Sequence, residues 1–358
     1  MRLKASGNFP VLMSCTYPWA LRLAGQARTH GARRGGLSFF PRLDFSDPGL
    51  KEFIRLSIPI MLGFSLVVVD EWTTRVFGSF LLAGAITWLN NARRLMLVPV
   101  GIFGQASGVA SYPFLSSLAA EGKKEEMWDT LSLTLRWVFL VSAGVAAIAV
   151  VLSREAVLLV YQRGAFTIDD TMRTASALSA FCLGIPFWCA QAIVSRGFFA
   201  MRDTWTPTLV GTGAWVVALP VYYLLQQSYG VFGLALASTA GILLYAAGLY
   251  GILMRRTVGR RGVRDLIEYG KMGLAAALAG AAGYFLLGAA SRFLAWETVF
   301  GSMIRLSGGA AAVGGIYFLL AYMFHSGTAR TIHRREDLLH PPGSFPDGES
   351  DGNGVTPS

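Results

Sequence analysis

From about residue 53 onward, long apolar runs alternate with short polar ones. A bilayer core about 30 Å thick takes roughly 20 apolar residues per helix. On that length the chain divides into eight segments at approximately 53–81, 86–118, 132–160, 173–200, 207–225, 231–254, 267–290 and 300–324. The intervening stretches carry loop chemistry: "AAEGKKEEMWD" at 119–129, "RGAFTIDD" at 163–170, "RDTWTP" at 202–207, "QQSYG" at 226–230 and "RRTVGRRGVRD" at 255–265. Thr206 ahead of Pro207 reads as a helix start, since a hydroxyl caps the first turn and proline needs no amide partner there. The pattern predicts an all-α polytopic membrane protein with about eight transmembrane helices.

Charge placement fixes an orientation, because cytoplasmic loops near helix ends are enriched in Lys and Arg. Alternate connections fall into two groups. One holds Arg33, Arg34, Arg42 and Lys51, then Lys123 and Lys124, Arg202, the run from Arg255 to Arg264, and finally Arg330, Arg334 and Arg335. The other holds only Arg163 and Arg292. The first group is expected on the cytoplasmic side, which puts both termini inside and requires an even number of spans.

Three regions follow: an irregular basic cytoplasmic segment at 1–48, a transmembrane domain at 49–325, and a polar, Pro/Gly-rich cytoplasmic tail at 326–358 that is expected to be disordered. The apolar stretch near the N-terminus is interrupted by Pro18 and Arg22, so it lacks the unbroken core of a signal peptide.

Composition agrees with a membrane class. Hydrophobic residues make up 53% of the 358 positions and charged residues 15%, and the mean hydropathy is +0.49, above what a soluble domain shows. The net charge of +10 gathers between apolar runs and not in a basic groove interleaved with aromatics, so nucleic acid is not the partner it implies. Cys15, Cys182 and Cys189 offer neither disulfide nor zinc spacing. All four histidines (His30, His325, His333, His340) lie outside the spans or at their edge, which leaves no intramembrane histidine for metal or acid/base chemistry. No cofactor and no enzyme activity are expected.

The charges inside spans carry the chemistry, since each costs roughly 2.5–3.5 kcal/mol at the bilayer centre and needs a partner, a water-filled cavity or an interface. They are Asp70, Glu71 and Arg75 in the first span, Arg93 and Arg94 in the second, and Arg196 near the end of the fourth. Glu71 and Arg75 are spaced to neutralise each other on one helix; the alternative is a cavity-facing acidic site that accepts the second span's arginines or a cation. Arg196, with Arg202, reads first as a topological anchor.

On the second span, steps of three and four from Arg94 collect Thr87, Asn91, Val98, Gly101, Gln105, Gly108 and Tyr112 into a polar and small-residue stripe. Arg93 points about 100° away, with Asn90, Leu97, Val100 and Gly104. The competing reading makes both arginines snorkelling cations. However, Arg94 lies roughly 36 Å above Leu118 at about 1.5 Å per residue, and apolar residues 76–89 would then sit at or beyond the interface. A helix edging a solvated cleft accommodates both facts, and a guanidinium there suits a phosphate.

The stretches "NNARRLMLVPVGIFGQASGVASYPFLSSLAA", "LLVYQRGAFTIDDT", "SRGFFAMRDTWTPT" and "YGVFGLALASTAGILLYAAGLYGILMRR", in that order and at those separations, resemble the MurJ/MviN family of lipid II flippases over residues 49 to 325. The family belongs to the superfamily of multidrug, oligosaccharidyl-lipid and polysaccharide exporters. The resemblance implies the C-terminal lobe of a fourteen-helix transporter in the cytoplasmic (inner) membrane. Such a transporter moves the undecaprenyl-pyrophosphate-linked peptidoglycan precursor, lipid II, for cell-wall synthesis.

By the resemblance, the arginine of the family's Ala-x-Arg-Leu motif lies on the central cavity, and Arg94 occupies that position. Members commonly carry an acid just before it, where this chain has Arg93, and an acidic or amide residue three positions after, where it has Leu97. The cavity set read from these features is Arg94, Asn91, Gln105, Arg93, Asp70 and Glu71, with Asp70 or Glu71 supplying the missing acid.

The resemblance starts at the family's seventh helix. The expectation is a truncated chain, or one that pairs with a separate N-terminal lobe or with itself, in contact with membrane lipids. Two alternatives stay open: a polysaccharide or multidrug exporter of the same superfamily, or a non-transporting membrane module that binds cell-wall synthesis partners.

Overall fold

The computed structural model of the chain describes residues 69–257, 262–290 and 299–339. Among these, the regular structure is helical. Helix α1 covers 69–78, α2 Ala85–Ala120, α3 Lys124–Val151, α4 Ser153–Tyr161, α5 Ile168–Cys182 and α6 Ile185–Ala200. The helical stretch Trp205–Thr257 is broken at Gly230, where φ is 56° and ψ −126°; its arms are α7 (205–229) and α8 (231–257). Val263–Ala290 is α9 and Val299–Leu339 is α10.

Gly230 takes a backbone conformation that a side chain would oppose, and there the chain reverses. Tyr222 and Ser238, equally distant from Gly230, hydrogen-bond the same carboxylate. A Cβ on Gly241 would stand 3.5 Å from that of Ala218, one on Gly248 would stand 2.9 Å from Val210, and one on Gly233 would overlap the Leu225 carbonyl oxygen. These pairs run antiparallel about the break, so α7 and α8 form a tight helical hairpin, as the expected loop at 226–230 requires.

Among the described residues, five helical stretches are long and apolar enough to cross a membrane, or six when α5 and α6, bent by 44°, are counted as one span. Trp205–Thr257 is one of the five and supplies both hairpin arms. The expected first span is described only from residue 69, so the total of eight stays an expectation.

Several boundaries differ from those expected. The segment 132–160 is two helices, parted at Leu152. The segment 173–200 is the bent pair α5–α6, where Pro186 sits in the first turn of α6 and so starts a helix without losing a hydrogen bond. Acidic residues at 125, 126, 169 and 170 belong to first helical turns and not to loops, where carboxylates favour the helix dipole. Helix α10 runs on to Leu339, through residues expected in the tail. The segment 1–48 and residues 340–358 lie outside the described residues.

Thr206 is not the cap that its place before Pro207 predicts. Asp203 caps α7: its Oδ1 accepts from the Thr206 amide at 3.0 Å and its Oδ2 from the Thr206 hydroxyl at 2.6 Å. Arg256, at the end of α8, pairs with the same carboxylate. Two loops expected on one membrane face are thereby tied together.

Helix α2 contains a π-helical stretch, Val100–Gln105, after Pro99. Its buried positions Met96, Val100, Gly104 and Gly108 recur every four residues. In a regular α-helix a four-residue step advances about 40° past a full turn; the wider π turns absorb that drift and hold the row against α6. Gly104 lets the backbones approach, since a Cβ there would lie 2.8 Å from Cys189 Cα. Small residues at such crossings are the usual means of close packing between membrane helices. A second small-residue seam packs α9 and α10 on α3 through Ala143, Ala147, Ala275, Ala279 and Val313, and Tyr317 donates to the Leu140 carbonyl at 2.7 Å.

Two outcomes are expected. Gly233→Ala forces the hairpin apart and lowers stability by about 1–3 kcal/mol, whereas Gly213→Ala, which meets nothing within 4 Å, is neutral; thermal melts of the purified protein in detergent compare them. Burial opposes ionisation of Asp203, but the two Thr206 hydrogen bonds and Arg256 outweigh it and hold its carboxyl below the ordinary value. A lowered carboxyl pKa stabilises the fold fully above the ordinary value of about 3.9 and is lost as pH falls through the lowered one. The melting-temperature gap between parent and Asp203→Asn therefore closes below about pH 4; a gap that widens on acidification contradicts the sign.

Candidate functional site

Four helices meet at Asp70. Arg93, on α2 and almost wholly buried, donates from Nη2 to Asp70 Oδ2 at 2.5 Å. Ser238 of α8 donates to the same oxygen at 3.0 Å, and the Tyr222 hydroxyl of α7 donates to Oδ1. The Arg93 guanidinium also lies 3.3 Å from Ser238 Oγ, 3.4 Å from Thr74 Oγ1 and 5.3 Å from the centre of the Phe181 ring. Thr74 in turn donates to the Asp70 carbonyl at 2.8 Å, and Trp215 donates to Thr73 at 2.9 Å. A cavity of about 50 Å³ lies beside Asp70, Tyr222 and Ser238. Each charge here has the opposite charge and hydrogen bonds to meet it, the condition under which buried ions persist.

Arg94, one residue along, is exposed. The stripe predicted with it is partly assembled. Thr87, Val98, Gly101 and Gln105 are exposed alongside it, Asn91 and Tyr112 are half-buried, and Gly108 is buried. Gly108 leaves the stripe because the π stretch turns each residue by less than an α-helix does; its missing side chain makes room for Arg196. The set predicted with Arg93 also divides: Val100 and Gly104 are buried, Leu97 is exposed. Glu71 makes no ion pair with the arginines of α2 and pairs instead with Arg75 on its own helix. Among the predicted acids, Asp70 alone joins the α2 arginines.

The turn that carries the arginines is braced at its other side. Trp88 donates from Nε1 to Asp170 Oδ1 at 2.8 Å, and Arg173 stacks 5.0 Å from the centre of the Trp88 ring. Tyr161 donates to the Asn91 carbonyl at 3.3 Å. Asp170 is itself fixed by a reciprocal capping box with Thr167 at the start of α5. Further along α2, Arg196 of α6 donates to Gln105 Oε1 at 3.1 Å and to the Ala192 carbonyl at 2.9 Å. Arg196 is therefore held against the exposed stripe by protein groups and does not reach only for an interface, as an anchoring role predicts.

A larger cavity of about 1200 Å³ lies between α3, α4, α5, α6, α9 and α10. Its walls are mostly alanine, glycine, valine and phenylalanine, and one end carries Glu155 and Arg305, 3.4 Å apart. Among the described residues, no three His, Cys, Asp or Glu side chains gather as metal ligands.

Tyr222 and Ser238 escape a reading of the sequence that looks for charge. A weaker signal was present in their placement eight residues to either side of Gly230, but Tyr223 and Thr239 beside them carry hydroxyls too.

The comparisons with known proteins agree with one another. The family profile described as "Lipid II flippase MurJ" matches residues 19–306, starting earlier and ending sooner than the resemblance at 49–325. MurJ of Haemophilus influenzae is 29% identical over 259 residues, 71% of this chain and 51% of that protein. MurJ of Vibrio cholerae is 27% identical over 61% of this chain and 41% of the relative. That of Rhizobium tropici is 25% identical over 88% and 60%. The chain thus spans about half the length of the curated relatives it matches. A solved structure of "Lipid II flippase MurJ, inward closed conformation" superposes with a TM-score of 0.61 at 20% identity, over 80% of this chain and 57% of that one, which supports the fold. With its apolar helices, its helical-bundle architecture and a family match over most of its length, this multi-pass membrane protein belongs to the lipid II flippase MurJ family.

Proposed function

We propose that this chain provides the C-terminal lobe of a flippase that carries the lipid-linked peptidoglycan precursor, lipid II, across the cytoplasmic membrane. The observation that carries this reading is the division of labour on α2: Arg93 is neutralised inside the bundle by Asp70, whereas adjacent Arg94 is left on the exposed face with no carboxylate against it among the described residues. A guanidinium so placed offers a planar donor fork to the pyrophosphate of the carrier. The small-residue stripe of Gly101 and Val98 leaves room beside it, and Gln105, held by Arg196, adds a polar group on the same face. The apolar walls of the 1200 Å³ cavity suit hydrocarbon. Transport by rocking of repeats about a central site assigns the exposed face of α2 to the lobe's inner side, toward a second lobe. The loop charges favour cytoplasmic termini, and the Arg256–Asp203 tie between two basic loops supports their lying on one face.

The test is complementation. In cells depleted of their own flippase, the chain joined to the first-half helices of a curated relative restores lipid II to the outer face, read by its accessibility to an externally added lipid II-cleaving toxin. Arg94→Ala in the same fusion lowers the rate roughly 10- to 100-fold, the loss of a charged hydrogen bond worth about 1.5–3 kcal/mol. Normal transport by Arg94→Ala, or no rescue by a well-inserted fusion, overturns the reading.

A further inference from the structure

We infer that Asp70 and Arg93 form a positioning pair that decides which of the two adjacent arginines of α2 faces outward. The inference rests on the reading of Arg94 as the anion contact and deepens it.

Arg93 and Arg94 lie about 100° apart on one helix, so rotation of α2 by less than a third of a turn carries Arg93 to the outward place that Arg94 holds and moves Arg94 on past it. Hydropathy opposes neither arrangement strongly. Leu97 and Val98 are exposed on the present outer face, and a membrane accepts Leu89 or Met96 in their stead. Charge is what distinguishes the two. A guanidinium in the bundle interior persists only with a partner, and Asp70 supplies one at the Arg93 position, reinforced by Ser238 and Tyr222 on the same carboxylate.

The π stretch Val100–Gln105 makes this local control necessary. There the ladder of hydrogen bonds changes register, so the firmly packed C-terminal half of α2, with Gly104 against Cys189 and Gly108 beneath Arg196, does not dictate the azimuth of the N-terminal half. Trp88 and Tyr161 tether the helix through an indole and a backbone carbonyl. These contacts seat the turn against its neighbours, and the ion pair sets which arginine enters the core.

Two arms test this. A spin label is placed at Val98→Cys, on the exposed face, in a Cys15→Ser background; Cys182 and Cys189 are buried and do not compete. In the otherwise unchanged chain the label is mobile. Arg94→Leu/Asp70→Asn, in which Arg93 is the one arginine of the pair left and has lost its anion, turns the face inward and immobilises the label, and adding Arg93→Leu, which removes the charge that must escape, restores mobility. The second arm needs no buried charge to survive. Arg94→Leu alone weakens binding of undecaprenyl pyrophosphate in nanodiscs roughly tenfold. Arg94→Leu with Asp70→Asn recovers most of it, because Arg93, released from the core, swings to the outer face, and the Val98 label reports the rotation.

A label that stays mobile in Arg94→Leu/Asp70→Asn overturns the inference, because a pair that merely stabilised the fold would lower melting temperature and leave the label unchanged. Failure of that variant to insert overturns it too, since Arg93 then has no outward place to take. Equal binding by the parent and Arg94→Leu, with the label rotating as expected, instead counts against the pyrophosphate reading while the positioning pair stands.

Discussion

A cation cannot rest in an apolar helical bundle without an anion beside it, and much of this lobe is arranged around that constraint. The Arg93 guanidinium enters the interior because Asp70 is there, and Asp70 in turn draws a hydroxyl from each arm of the α7–α8 hairpin. One carboxylate thereby ties α1, α2, α7 and α8 together. Removing either partner of such a pair is far more costly than removing both, so the pair specifies an arrangement more than it adds stability.

Around this point, close approach is achieved with small residues. The glycines of α2 and of the hairpin, and the alanines between α3, α9 and α10, let backbones near each other where the solvent is hydrocarbon and apolar burial between helices gives little drive. Polar ties then sit at the ends: Asp203 with Arg256, Arg136 with Asp265, and Glu155 with Arg305. Apart from the Arg93–Asp70 pair in its interior, the bundle is held by packing in its middle and by charge at its margins.

Much of this was legible in the sequence. Apolar run lengths gave the helical class, and the break at 226–230 marked the hairpin. The 100° between Arg93 and Arg94 separated the buried arginine from the exposed one. Asp70 was legible as a possible acid partner, but its choice over Glu71 was not, because that depends on the azimuth of α1 and on Arg75 being one turn away to take Glu71. Gly108 was misassigned because a 3.6-residue template cannot foresee a π stretch. The cap at Asp203 was missed because Thr206–Pro207 offered an equally good local signal; the deciding factor was Arg256, distant in sequence, which favours a carboxylate at that corner.

The π stretch bears on how this helix tolerates change in length. Loss of one residue between Val100 and Gln105 would convert the wide turns to ordinary ones while leaving every flanking residue apolar and the span long enough. The narrower turns advance further per residue while the missing residue subtracts about 100°, so the two changes nearly cancel and Arg93 still meets Asp70. A single-residue gap at this place in related sequences is therefore best read as the π stretch closing to a plain α-helix, with the arginine face kept.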